Sequence, residues 1–288
     1  MAEEKKSIAR PSAQEISKIP VGPLGLIPLK GCEEFTEQID SYLVKWRSER
    51  QSEHKENLLF AGYEKPSYII QADCPRFGSG EGKGLIRSSV RGDDLYFISD
   101  VTNYSLTYTV SGMQNHYSPD DHFADLKRLI AASAGKAKRM TVIMPFLYEG
   151  RINKREGRES LDCAQMLQEL TDMGVSNIVT FDAHEPRVQN AIPLKEFETV
   201  SPTYQYIKAL LESVDDLEVD AEHMMIISPD EGGMGRAIYF ANLLGLDMGM
   251  FYKRRDYTRI VNGRNPIVAH EFLGSDVEGK DVIIIDDM

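Results

Sequence analysis

Three short apolar runs in this chain end in acidic residues. Ile178-Val179-Thr180-Phe181 leads into Asp182 and His184, Met225-Ile226-Ile227 into Asp230 with Gly232 and Gly233, and Ile283-Ile284-Ile285 into Asp286 and Asp287. If each run is a strand of an open α/β sheet, each delivers a carboxylate to the carboxyl end of a strand, where such sheets bind ligands. Hard oxygen donors of this kind suit Mg²⁺, which is held by one or two carboxylates together with substrate phosphates. A single Asp after a strand is ordinarily a turn or helix cap; three such ends in one chain point to chemistry. Two basic runs, RINKREGR (151–158) and YKRRDYTR (252–259), follow apolar segments as well. Each is either a solvated charged loop or a phosphate clamp. Phosphoryl transfer calls for both parts, carboxylates for metal and cations for phosphate oxygens.

The elements that must position these residues are legible from hydrophobic pattern. DDLYFISD (93–100), MTVIMPFL (140–147), NIVTFDAH (177–184), MMIISPDE (224–231) and DVIIIDDM (281–288) read as strands, and their continuous hydrophobicity suits parallel strands buried on both faces. Helices alternate with them. Ser118 and Pro119 open one with Phe123, Leu126, Leu129 and Ile130 on its inner face, and Gly135 closes it. A second runs from Ser160 to Gly174, and a third carries Met234, Ala237, Ile238, Ala241 and Leu244 before Gly245. Phe35, Ile39, Leu43 and Val44 predict an earlier helix from Glu33 to Trp46, with the charged stretch 47–57 either extending it into solvent or forming a surface loop. The expected fold is α/β, in two lobes that each have a mainly parallel sheet flanked by helices. A loose arm is expected at 1–22, a first domain at 23–198 and a second at 199–288.

Composition narrows the function. With 288 residues, 42% of them hydrophobic, the chain can fill one large core or two medium ones. A net charge of −12 argues against a general nucleic-acid binder, while leaving room for small anions held by clustered cations. Three scattered cysteines, Cys32, Cys74 and Cys163, offer neither a disulfide framework nor zinc spacing, which fits a reducing compartment. The N-terminus lacks an apolar signal core, and no run approaches the ~18 apolar residues of a membrane span. The expectation is a cytoplasmic protein with no membrane partner.

With those residues in place, five motifs resemble the ribose-phosphate pyrophosphokinase family, whose lobes have the phosphoribosyltransferase fold. FDAHEPRVQ (181–189) is similar to its Asp-x-His-x-x-Q-x-Q stretch. RFGSGEGKGLIRSSVRG (76–92) resembles its N-terminal segment, SPDEGGMGRA (228–237) its Ser-Pro-Asp-x-Gly-Gly turn, YKRRD (252–256) the start of its catalytic loop, and VIIIDDM (282–288) the start of its ribose-phosphate loop. The resemblance runs from about Leu26 onward, with an insertion near 46–66.

It implies transfer of the diphosphoryl group of Mg·ATP to the 1-hydroxyl of ribose 5-phosphate. Asp182 and His184 would lie at the metal–ATP site, with Asp230 near the sugar phosphate and its metal. Arg151 would contact ATP. Phe77 and Glu81 would reach the adenine bound by a neighbouring subunit of a homo-oligomer, a dimer or hexamer. Lys253 and Arg255 would close over the transferred group as the catalytic cations, Asp286 and Asp287 would hold the ribose hydroxyls, and Ser89 and Arg91 resemble a regulatory phosphate contact.

The chain departs from the family at Ile152 and Asn153, where Gln and Asp are usual, at Pro186 and Arg187 within the His motif, and at Ser79 in place of an acidic residue. Its last residues stop inside the ribose-phosphate motif, so the second domain is expected to be incomplete and residues 1–288 alone are expected to be inactive or nearly so. A phosphoribosyltransferase, or a non-catalytic relative that regulates the synthase, are the alternatives.

Overall fold

The computed structural model describes residues 20–50, 62–133, 135–255, 258 and 267–287, the side chains of 253–255 and 267–270 excepted. Most of the predicted arm (1–19) and the middle of the predicted insertion (51–61) lie outside the described residues. The chain divides into two compact units, 1–200 and 201–288.

The first unit is built on a five-stranded sheet in the order β1-β4-β7-β8-β9, with every pairing parallel. Its strands are β1 (Leu24–Pro28), β4 (Asp94–Ile98), β7 (Arg139–Met144), β8 (Asn177–Phe181) and β9 (Glu196–Val200). Helices α1 (Glu33–Glu49), α2 (Pro119–Ser133) and α3 (Asp162–Asp172) accompany the sheet. Two small ribbons, β2 (Ala72–Asp73) with β3 (Leu85–Ile86) and β5 (Thr107–Val110) with β6 (Met113–His116), stand apart from it.

The central strands are apolar on both sides because both are covered. Leu95, Phe97 and Ile98 of β4 and Val142 and Met144 of β7 are wholly buried, packed with Leu126 and Ile130 of α2 and Leu167 and Leu170 of α3. Helix α2 starts where its sequence says it should. Ser118 Oγ accepts from the Asp121 amide, and the Asp121 carboxylate accepts in return from the Ser118 amide, both within 3.2 Å, with Pro119 in the first turn. At the amino ends of β4 and β7, Arg139 donates to both carboxylate oxygens of Asp94, at 2.7 and 2.6 Å, and locks the register of the two strands.

The second unit has a four-stranded sheet in the order β12-β11-β10-β13. Strand β10 (Met224–Ser228) is buried along its length between β11 (Asp247–Arg255) and β13 (Asp281–Ile284), both parallel to it. Strand β12 (Ile267–Leu273) pairs antiparallel with β11. Helices α4 (Thr203–Ser213) and α5 (Met234–Leu244) belong to this unit, and α5 ends on Gly245, whose φ of 69° closes the helix.

The fold is thus α/β with mainly parallel sheets. All five predicted strands exist, each ending before the predicted carboxyl end, and β7 starts one residue earlier, at Arg139. One expectation is corrected: Tyr252–Arg255 do not begin a loop. β11 continues through them, with Lys253 opposite His270 of β12, because the ladder satisfies a backbone that a loop would leave to water. Among the described residues, no helix is long and apolar enough to cross a membrane.

Candidate functional site

In the first unit, β7 and β8 end side by side, and the loops after them carry most of the predicted ATP-side residues. The Pro145 carbonyl accepts from the Phe181 amide at 3.2 Å and the Thr180 hydroxyl at 3.4 Å, which ties the two strand ends together. Immediately after β8 the backbone enters the left-handed region at Asp182, φ 40°. A non-glycine residue pays for that conformation, and such strain gathers at functional sites. The end of β9 enforces it. The Asp182 amide donates to the Val200 carbonyl at 3.1 Å, and the Ala183 amide to Thr199 Oγ1 at 2.9 Å. His184 follows on the surface.

Arg151 lies beyond β7, exposed, with its guanidinium 5.6 Å from the centre of the Phe146 ring. Ile152 and Asn153 are held in a turn by the Ile152 amide on the Glu149 carbonyl and by Asn153 Nδ2 on the Gly150 carbonyl.

The departure at Arg187 has a structural account. Glu185 caps the 3-10 helix Pro186–Ala191, and Arg187 returns its own amide and guanidinium to that carboxylate. These hydrogen bonds hold the Glu185 carboxyl well below the usual range, down to about 2. Because the folded pKa is depressed, the cap's contribution is present above the ordinary value and is lost as pH falls from about 4.5 towards about 2. Arg187→Ala should return the Glu185 titration towards the ordinary carboxylate range, followed by carboxyl-carbon NMR; an unmoved midpoint would remove Arg187 as the cause.

Phe77 and Glu81 sit on one tight turn. The Phe77 amide donates to the Glu81 carbonyl, the Gly80 amide to the Phe77 carbonyl, and Ser79 Oγ to Glu81 Oε2. The Phe77 ring is 58% exposed. Ser89 and Arg91 lie in the exposed segment after β3, where they line a recess of about 360 Å³ together with Lys136.

In the second unit, Asp230 follows β10 and Asp286 and Asp287 follow β13, its parallel neighbour, so all three leave the same edge of one sheet. Asp230 Oδ1 accepts from the amides of Gly232 and Gly233 at 2.9 and 3.2 Å, so it shapes the turn into α5 as well as presenting charge. Gly233 is required there, since a Cβ would stand 2.9 Å from Ser228 Oγ. Asp286 Oδ1 accepts from the Asp287 amide at 2.9 Å. Lys253 and Arg255 are placed only as backbone of β11, and their side chains lie outside the described residues.

Among the described residues, only Glu218, Asp220 and His223 bring three potential metal-ligand atoms within 4.8 Å of one another, and all three are exposed. Sequence reasoning did not single them out; they precede β10, at the opposite end of that strand from Asp230. The cysteines do not supply a nucleophile. Burial pushes Cys32 up to about 11 and Cys74 and Cys163 up to about 12, which keeps them protonated near neutral pH.

Residues 24–174 match the N-terminal domain of ribose phosphate pyrophosphokinase. The chain belongs to the ribose-phosphate pyrophosphokinase family. It is 27% identical over 225 residues to the ribose-phosphate pyrophosphokinase of Aquifex aeolicus, covering 76% of this chain and 63% of that protein. It is 29% identical over 224 residues to ribose-phosphate pyrophosphokinase 3 of Saccharomyces cerevisiae, covering 76% of this chain and 61% of that protein. The chain therefore matches less than two thirds of the length of these family members. Its fold is similar to the crystal structure of phosphoribosylpyrophosphate synthetase from Mycobacterium smegmatis, with a TM-score of 0.67 at 21% identity, covering 92% of this chain and 71% of that one.

Proposed function

We propose that this protein works as a ribose-phosphate diphosphokinase, moving the diphosphoryl group of ATP to the 1-hydroxyl of ribose 5-phosphate and releasing AMP. The observation that carries the reading is the strained Asp182 turn at the carboxyl end of β8, just before His184, with β7, the strand that precedes Arg151, as the parallel neighbour of β8. In this reading Asp182 and His184 serve the metal–ATP side, and Arg151 neutralises phosphate charge. Asp230, Asp286 and Asp287 serve the ribose 5-phosphate side, with Asp230 also near its metal. Lys253 and Arg255 would meet the group in transfer.

The donor set fits Mg²⁺, since strand-end carboxylates that occupy only part of a coordination sphere suit an ion that keeps several waters. When bound, Mg²⁺ supplies neutralisation of the polyphosphate charge. The exposed Phe77 suits an adenine contact completed by another copy of the chain, in a dimer or hexamer. Ser89, Arg91 and Lys136 would form a regulatory phosphate site in their recess.

The deciding assay incubates the full-length protein with ATP, ribose 5-phosphate and Mg²⁺ and identifies the nucleotide released. AMP appearing together with phosphoribosyl pyrophosphate is the expected result; ADP or free phosphate without AMP counts against the reading. A second reading, a non-catalytic relative that modulates a synthase, draws support from Arg187, which is committed to Glu185. It requires no AMP from the protein alone and a changed rate when a synthase is added.

A further inference from the structure

The turn that carries Phe77 rests on an unusual support. The side chain of the preceding residue, Arg76, is only 8% exposed. Its Nη2 lies 3.0 Å from Asp125 Oδ2 and 3.8 Å from Asp121 Oδ1, and its guanidinium faces the rings of Tyr108 at 4.9 Å and Tyr117 at 5.2 Å. Arg128 takes the other Asp125 oxygen at 2.6 Å. Among the described residues, Arg76 Nε is buried without a hydrogen-bond partner.

A buried ionic cluster of this kind is poor evidence for stability, because desolvation consumes most of its Coulombic gain. An orphaned buried donor adds a further cost. What the cluster does provide is a fixed geometry, since a planar guanidinium held by two carboxylates and two rings has one orientation.

That geometry is passed to the turn. Arg76 bridges antiparallel to Gly82, so the residues on either side of Phe77–Glu81 are clamped as a miniature ladder. A Cβ on Gly82 would stand 2.8 Å from the Arg128 guanidinium and 2.9 Å from that of Arg76, so the backbone lies directly against the cluster. The β5–β6 hairpin braces the turn from its tip. The Ser111 amide donates to the Gly78 carbonyl at 3.1 Å, and Val110 lies close to Gly80, which has a φ of 92°. Tyr108, on the same hairpin, also hydrogen-bonds Asp121.

We propose that Arg76 is a positioning residue for the Phe77–Glu81 turn and that the β5–β6 hairpin is the second support of that turn. Its use in nucleotide binding rests on the reading that Phe77 meets the adenine of ATP. A turn anchored in this way presents an aromatic face without having to be ordered on binding, which spares part of the affinity otherwise lost to immobilising it.

The test uses the full chain with Arg76→Met, and with Tyr108→Leu in case the first fails to fold. Amide hydrogen exchange is read at Phe77 and Gly80 and compared with the core amides of Phe97 and Val142. Exchange at 77 and 80 should rise roughly tenfold or more while the core rates stay put, as expected for local rather than global opening. Unchanged exchange at 77 and 80, or a rise shared equally by the core, overturns the proposal.

Binding of ATP and of inorganic tripolyphosphate is measured on the same variants. The expected outcome is a roughly tenfold loss for ATP, as fits a weakened base contact, with little change for tripolyphosphate. If exchange rises but ATP binding does not change, Arg76 positions the turn and the adenine reading of Phe77 fails. If Phe77→Ala weakens ATP while the Arg76 and Tyr108 variants leave exchange unchanged, the adenine reading stands and the positioning role is overturned.

Discussion

On the proposed diphosphokinase reading, His184→Ala in the full-length protein should lower AMP release from ATP and ribose 5-phosphate by roughly 10²–10³-fold in kcat, the scale of removing one preorganised polar group from a charge-stabilising site. The KM for ATP should change much less, because a contact that strengthens as charge shifts towards the leaving AMP acts on the transition state more than on the ground state. The substitution should be nearly silent in stability. His184 is exposed, and the turn is held by the Asp182 amide on the Val200 carbonyl and the Ala183 amide on Thr199 Oγ1. A surface change of this type usually stays within about 0.5 kcal/mol. Steady-state kinetics beside urea denaturation separates the two quantities. A kcat within about threefold of the parent would remove His184 from the chemistry, given that a lost catalytic group costs far more.

Phe97→Ala should produce the largest loss of stability of any single truncation considered. Phe97 is wholly buried on β4, a central strand of the first unit, among the side chains of its core. Removing a buried phenyl ring costs about 3–5 kcal/mol, from lost transfer energy together with the cavity left behind. Urea unfolding followed by far-ultraviolet circular dichroism should show the midpoint fall with little change in slope. A loss below about 1 kcal/mol would mean that the surrounding helices collapse into the space, which cores rarely do so completely.

Strands β4, β7, β8, β10 and β13, and the carboxylates that follow β8, β10 and β13, were legible because continuous apolar runs have a simple cause: parallel strands covered on both faces that end where the chain must turn. Helix α2 was legible through Ser118, Pro119 and its apolar face. What escaped was structure set by neighbours. Glu196–Val200 became β9 because β8 offered it a ladder, although its alternating polar residues gave little burial signal. The turn in β5–β6 depends on positive φ at Ser111 and Gly112, and Ser-Gly is a weaker hairpin signal than Asn-Gly. Tyr252–Arg255 read as a basic loop because charge was visible while the partner strand β12 was not. At the candidate site, residue types could be read directly. The strain at Asp182, the use of Asp230 Oδ1 as a turn acceptor and the return of Arg187 to Glu185 could not, since each depends on where a backbone already lies.

The strand order of the first unit also has a consequence for the newborn chain. Strands β4, β7, β8 and β9 meet their neighbours in the order in which they are synthesised, but β1, bridged through Leu26 to Ile69 on one edge, pairs along its length with β4 on the other, and residues 29–93 must emerge before that partner. At about 5–20 residues per second, that leaves the apolar LGLIP segment waiting roughly 3–13 s for its partner. Throughout that interval the edge that β4 will cover carries open backbone groups, the kind of surface that chaperones hold and that aggregation exploits.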